Sequence, residues 1–240
     1  MNGIVIAILT QAVLFWGTSI VPMPLNAAEK SDNVDEVSTE IIQKSMKLNP
    51  GGLVLLDTQV GNITVNEYEG AEIRVELTIQ GTPESIGAFR FTHNYFGNQL
   101  TVLGWCENNG TVVQCLKQIE FRVLIPKGAG FSVRVSTKKG DISALISDRV
   151  EKIDLATDAG IIRIALPSDY SALLDVSVSE FGTIHTGRKS VLRGPNINVD
   201  VDQEHHVKAK LNGGRSLITA RSQIGNIFVD FLDVVKRAQS

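Results

Sequence analysis

Cysteine, proline and an excess of positive charge are scarce in this chain, and each scarcity closes off a class of protein. Its 240 residues carry 23 Lys and Arg against 26 Asp and Glu, a net charge of −3. A nucleic-acid partner needs a basic surface to neutralise phosphates, and none is provided for here. Two cysteines are too few for a disulfide-dense scaffold, and the chain is long enough to bury a core without one. With 7 Pro against 21 Gly, glycine punctuates ordered elements and does not build a linker. Hydrophobic residues make up 43% of the chain, which argues against disorder over most of its length.

Charge is also missing from residues 1–28; the first charged side chain is Glu29. The run Ile4 to Val21 is apolar enough for a secretory segment. Pro22 and Pro24 then interrupt it ahead of the small residues Ala27 and Ala28. Residues 1–27 therefore read as a signal peptide cleaved after Ala27, or as an uncleaved anchor, since no Lys or Arg precedes the apolar run. Either reading exports the remainder. Residues 28–36 read as a flexible lead-in, 37–232 as a single β-strand-repeat domain, and 233–240 as a C-terminal tail.

The repeat is a Ser or Thr, two residues, Gly, one residue, Ile. It is filled by Thr58, Gly61 and Ile63, by Thr137, Gly140 and Ile142, and by Thr157, Gly160 and Ile162. Ser179, Gly182 and Ile184, then Ser222, Gly225 and Ile227, complete the set. Glycine suits a tight turn between strands, and the hydroxyl three residues earlier is placed to bond turn amides. The Ile and the residue two further on (Val65, Ala144, Ile164, Thr186, Val229) share one face of a strand, the buried one. The glycine spacing gives a period of about 20–22 residues, which predicts stacked supersecondary units. On that period the gap from Gly61 to Gly140 holds close to four units, and a unit near residue 203 has lost its Gly.

Three segments, MKLNPGGLVLLDTQVGNITV, IPKGAGFSVRVSTKKGDISA and LNGGRSLITARSQIGNIFV, resemble the bacterial putative-adhesin family of unknown function. Asn62, Asp141 and Asn226 match the Asp or Asn that often follows the Gly in that family, whereas Ile161 and Thr183 depart from it. The resemblance implies an all-β, β-solenoid-like fold and a cell-envelope location, and it brings no catalytic residues with it.

Candidate sites are few. Cys106 and Cys115 bracket a loop whose Asn109-Gly110 is a hairpin signal. The two form a disulfide if the loop is bulged, or remain free thiols in a strict two-residue register. Trp105, Glu107, Asn108 and Asn109 at that loop are the candidate binding residues, with Tyr95 and Phe96 across a short strand; buried core aromatics are the competing reading. Asp200, Asp202 and Glu204 alternate on one strand face beside His205 and His206. That row reads as a solvated acidic edge and not as a metal site, since adjacent histidines point to opposite faces. Lys138 and Lys139 read as solvated turn charge. No nucleophile-and-base pair or acidic groove can be assembled, and no cofactor or metal is expected.

The functional expectation is an exported, non-enzymatic binding or scaffold surface in the periplasm or at the cell surface, with an envelope protein or a glycan as partner. Its alternatives are a periplasmic envelope-stress or assembly component and a β-helix carbohydrate-active enzyme.

Overall fold

A computed structural model of the chain describes residues 37–107, 116–128, 130–147, 150–186 and 197–232. In chain order the strands begin with β1 (Ser38–Met46), β2 (Leu53–Val60), β3 (Asn62–Tyr68) and β4 (Ile73–Gly81). A short helix α1 (Pro83–Ala88), capped by the Thr82 hydroxyl accepting from the Ser85 amide, leads to β5 (Phe89–Phe96), β6 (Gln99–Cys106) and β7 (Leu116–Pro126). Next come β8 (Ser132–Lys139), β9 (Ile142–Leu145), β10 (Lys152–Ala159) and β11 (Ile162–Pro167). The last are β12 (Ala172–Val178), β13 (Ile184–His185), β14 (Ile197–Gln203), β15 (His206–Leu211), β16 (Ser216–Ile224) and β17 (Ile227–Leu232). Among the described residues no helix is long and apolar enough to cross a membrane.

The strands form two sheets. One has eight strands in the order β1-β4-β7-β3-β9-β11-β17-β13, the other nine in the order β14-β15-β12-β16-β10-β8-β2-β6-β5. Six strand pairs place one strand in each sheet: β6 with β7, β2 with β3, β8 with β9, β10 with β11, β16 with β17, and β12 with β13. Neighbouring pairs run parallel throughout. Antiparallel strands close the ends: β4 and β1 beyond β7, β5 beyond β6, and the β14–β15 hairpin beyond β12.

Strand alternation explains the interior. Leu100, Val54, Val133, Ile153, Ile218 and Leu174 occupy one row of the nine-stranded sheet, in register and buried. Facing them from the eight-stranded sheet, Phe121, Ile63, Ile142, Ile162 and Ile227 make a second buried row. Each such side chain contributes about 1.5–3 kcal/mol by leaving water. Because residues of like shape stack strand on strand, the rows set the register as well as the core.

Three expectations are corrected. The Gly61 to Gly140 gap holds one strand pair, β6 with β7, and two antiparallel strands, β4 and β5; it does not hold four units. No unit has lost its Gly near residue 203, because Gln203 pairs with His206 in the tight turn of the β14–β15 hairpin. Nor do the strands flanking the Cys106–Cys115 segment form a hairpin: β6 lies between β2 and β5, whereas β7 lies in the other sheet between β3 and β4. Both edges of each strand are already taken, so the two cannot pair with one another.

Candidate functional site

The repeat forms the corner where the chain passes from one sheet to the other. Thr58, Thr137, Thr157 and Ser222 are in register on adjacent strands and are all buried. Their hydroxyls work between neighbouring strand pairs: Thr137 donates to the Gly61 carbonyl at 3.2 Å, Thr157 to that of Gly140 at 3.0 Å, and Ser222 to that of Gly160 at 3.1 Å. Thr58 has its own-turn bond, accepting from the Val60 amide at 3.4 Å, and Ser179 likewise accepts from the Phe181 amide at 3.2 Å. Turn-amide bonding, the expectation for every copy, thus holds for two, and Ser179 combines it with a bond donated to the Gln223 carbonyl of the neighbouring pair.

The fifth copy is out of step. Ile184 is level with Ile227, but it is Val178 that is level with Ser222, so Ser179 falls one residue late and an extra residue enters that corner. After the Gly, the side chain of one pair accepts from the backbone of the next. Asn62 Oδ1 receives the Asp141 amide at 2.9 Å, Asp141 Oδ1 the Ile161 amide at 2.8 Å, and Asn226 Oδ1 the Thr183 amide at 2.9 Å. Ile161 has no acceptor to offer and interrupts this ladder between Asp141 and Asn226.

Trp105 lies on β6, opposite Arg90 of β5. Leu100, Val102 and Gly104 face the core, which turns Thr101, Leu103 and Trp105 to the outer face. Gly104 is required inside: a Cβ there would stand 2.8 Å from Phe121 Cζ and 2.9 Å from Thr58 Oγ1. Trp105 is half-buried and borders a shallow cleft of about 210 Å³, lined also by Asp57, Gln59, Leu103 and Lys138. Asp57 Oδ1 accepts from the Ser136 hydroxyl at 2.7 Å, and Gln59 Oε1 accepts from the Cys106 amide at 3.4 Å. The sequence singles out Trp105 but not Asp57 or Gln59, and in it Lys138 reads as turn charge. Alternation places each of them on the outward face of its strand, but only the pairing of β6 with β2 and of β2 with β8 brings them together.

Glu107 pairs with Arg90 at 2.5 Å, and Arg90 also donates to the Gly87 carbonyl at 2.8 Å. The hydrogen bond from Arg90 holds the Glu107 carboxyl below the usual carboxylate range, its charge adding to the effect. Asn108, Asn109 and Cys115 lie outside the described residues. Cys106 is a free thiol against the core, its pKa pushed up by burial, and the expected disulfide is not shown. Tyr95 and the strongly exposed Phe96 fall at the far end of the β5–β6 hairpin, where Phe96 pairs with Gln99, and so do not flank Trp105.

His205 and His206 diverge. His205 Nδ1 lies 3.2 Å from the Gly182 carbonyl, whereas His206 Nε2 meets Asp175 Oδ1 at 2.8 Å, with Lys208 Nζ 3.4 Å from the other carboxylate oxygen. Asp200 and Glu204 are exposed, and β14 is an edge strand. The register shifts between Val199 and Val201, so the backbone of Asp202 is level with that of Val207. Among the described residues no group of three or more His, Cys, Asp or Glu is placed to hold a metal ion.

No protein-family model matches the sequence, and no curated protein matches it. Solved structures do. A putative cell adhesion protein from Clostridium sporogenes aligns over 81% of this chain and 100% of its own, with a TM-score of 0.55 and 8% identity. A putative adhesin from Parabacteroides merdae aligns over 62% of each chain at 10% identity and a TM-score of 0.27. One from Bacteroides fragilis aligns over 79% of this chain and 97% of its own, at 11% identity and a TM-score of 0.25. At 8% identity the likeness to the Clostridium protein is one of fold.

Proposed function

We propose that the chain is exported and acts in the cell envelope as a non-enzymatic binding or scaffold surface, built on a solenoid-like stack of strand pairs. The observation that carries this reading is the corner ladder of Thr58, Thr137, Thr157 and Ser222. Each hydroxyl past the first ties its strand pair to a carbonyl of the pair beside it. The outcome is a stiff framework with outward side chains at one strand spacing, about 4.8 Å. Such a face suits recognition of an extended partner, with specificity supplied by the side chains and loops it carries. The apolar run from Ile4 to Val21 supports export, and the shared fold of a protein named for cell adhesion supports the surface reading.

Protease treatment of cells carrying an epitope tag after Ser240 tests location. Digestion on intact cells fits a surface adhesin, and protection until the outer layer is opened fits a periplasmic scaffold. Protection until the cytoplasmic membrane is broken would overturn export.

A further inference from the structure

The outer face at β6, β2 and β8 combines apolar and polar surface in one cleft. Trp105 and Leu103, the latter 37% exposed, supply apolar surface. Around them stand an amide (Gln59), a carboxylate (Asp57) and an ammonium group (Lys138). These polar groups retain bonding capacity. Gln59 uses its carbonyl oxygen on the Cys106 amide, which leaves an NH₂ whose two hydrogens can donate. Asp57 accepts from Ser136 through one oxygen, and its second oxygen is an acceptor still to be used. The Lys138 side chain is exposed.

The geometry points to a neutral oligosaccharide as the ligand of this cleft, with a sugar ring laid against Trp105 and its hydroxyls bonded by Asp57, Gln59 and Lys138. This deepens the binding-surface reading and rests on it. A pyranose has a face of C–H groups and an equator of hydroxyls. The C–H face suits the negative face of an indole, and the hydroxyls need donors and acceptors together. The cleft offers both kinds of surface side by side. Its charge sums to zero over Asp57 and Lys138, which favours an uncharged chain over a polyanion.

A peptide is the weaker fit for a specific reason. Strand addition needs a bare main-chain edge, yet β6 is paired on both sides by β2 and β5, and β2 by β6 and β8. Only side chains are presented here. The cleft is shallow and open along the sheet, so it takes a stretch of chain from the side.

The test uses the full chain with Trp16→Phe, which leaves Trp105 as its sole tryptophan. Hexamers of N-acetylglucosamine, of β-linked glucose and of mannose are titrated against its fluorescence and by calorimetry, up to about 10 mM. Saturable binding of at least one is expected. It should weaken by about tenfold in Trp105→Ala and several-fold in Lys138→Ala and Gln59→Ala, while Trp105→Phe stays within about threefold of the parent. Lys138 is exposed, so its variant keeps the readout independent of folding.

Failure of all three sugars to bind would overturn the assignment, as would binding indifferent to Trp105, Gln59 and Lys138. So would a strong preference for a uronic-acid hexamer with steep salt dependence, or a protein partner lost in Trp105→Ala when no sugar binds. The protease experiment is unaffected by any of these, so the two readings fail separately.

Discussion

Gly225 and Gly160 pack backbone on backbone: a Cβ added to Gly225 would stand 1.9 Å from the Gly160 carbonyl oxygen. The two are 65 residues apart in sequence yet belong to adjacent corners. Gly225 also has φ +142, a conformation that strains a side chain whatever the space. Gly225→Ala is therefore expected to cost about 3 kcal/mol or more in urea unfolding. Gly97→Ala is the control, with φ +61 but nothing within 4 Å of a new Cβ, and is expected to cost about 1 kcal/mol.

Thr157→Val keeps the side chain's shape but removes the hydroxyl that bonds the Gly140 carbonyl. The expected loss is about 1–2 kcal/mol, since the site is buried and the carbonyl loses a partner. Val178, which already holds the matching position in the pair β12 with β13, shows that the row accepts the shape. An unchanged urea midpoint would mean the hydroxyl ladder adds nothing to stability.

The acceptor ladder after the glycines gives a prediction of opposite sign. Asn226→Ala should destabilise by about 1 kcal/mol, because the Thr183 amide loses its acceptor. Ile161→Asn should stabilise by about 0.5–1 kcal/mol by supplying the one that is missing between Asp141 and Asn226. Midpoints moving in the same direction for both variants would refute the ladder.

Asp175 ties β12 to the end hairpin. Burial alone would raise its pKa, but the hydrogen bonds from His206 and Lys208 outweigh that and hold it below the usual carboxylate range. A depressed carboxylate pKa stabilises the fold above the unfolded value, about 3.9, and that contribution is lost as the pH falls through the folded value. Asp175→Asn should thus cost under about 1 kcal/mol at pH 7, modest because the pair is partly solvated, and nothing near pH 2. Urea midpoints at several pH values measure it; a gap that widens in acid would contradict it.

What the sequence disclosed was local. Thr, Gly and Ile at fixed offsets describe one corner, and alternation after Gly61, Gly140, Gly160 and Gly225 identifies the buried face, whereas Ile184 and Thr186 after Gly182 are only partly buried. The order in which corners stack was not legible, because a parallel strand offers the same hydrogen bonds to any neighbour of like register. A period counts residues along the chain, so the 43 residues between Gly182 and Gly225 looked like two units when they contain an antiparallel hairpin. The hairpin signal at Asn109-Gly110 misled for a related reason: local turn preference says nothing about whether the flanking strands already have partners. The cleft at Trp105 depended on Lys138 lying two strands away, a proximity fixed only by the register of β2 with β8.

The non-sequential stacking has a consequence for how the protein matures. The pair β16 with β17, made by the last stretch of described chain, lies between β10 with β11 and β12 with β13. A chain emerging amino-terminus first can assemble its stack only as far as β10 and β11, whose free edges then wait. Segment 172–211 is made earlier but has nowhere to dock until residues 216–232 arrive. Growth by accretion, one unit laid on the last, is therefore closed to this molecule. The final segment acts as a keystone, and a ribosome or translocon that stalls before residue 216 leaves a gap in the middle of the structure and not merely a missing end.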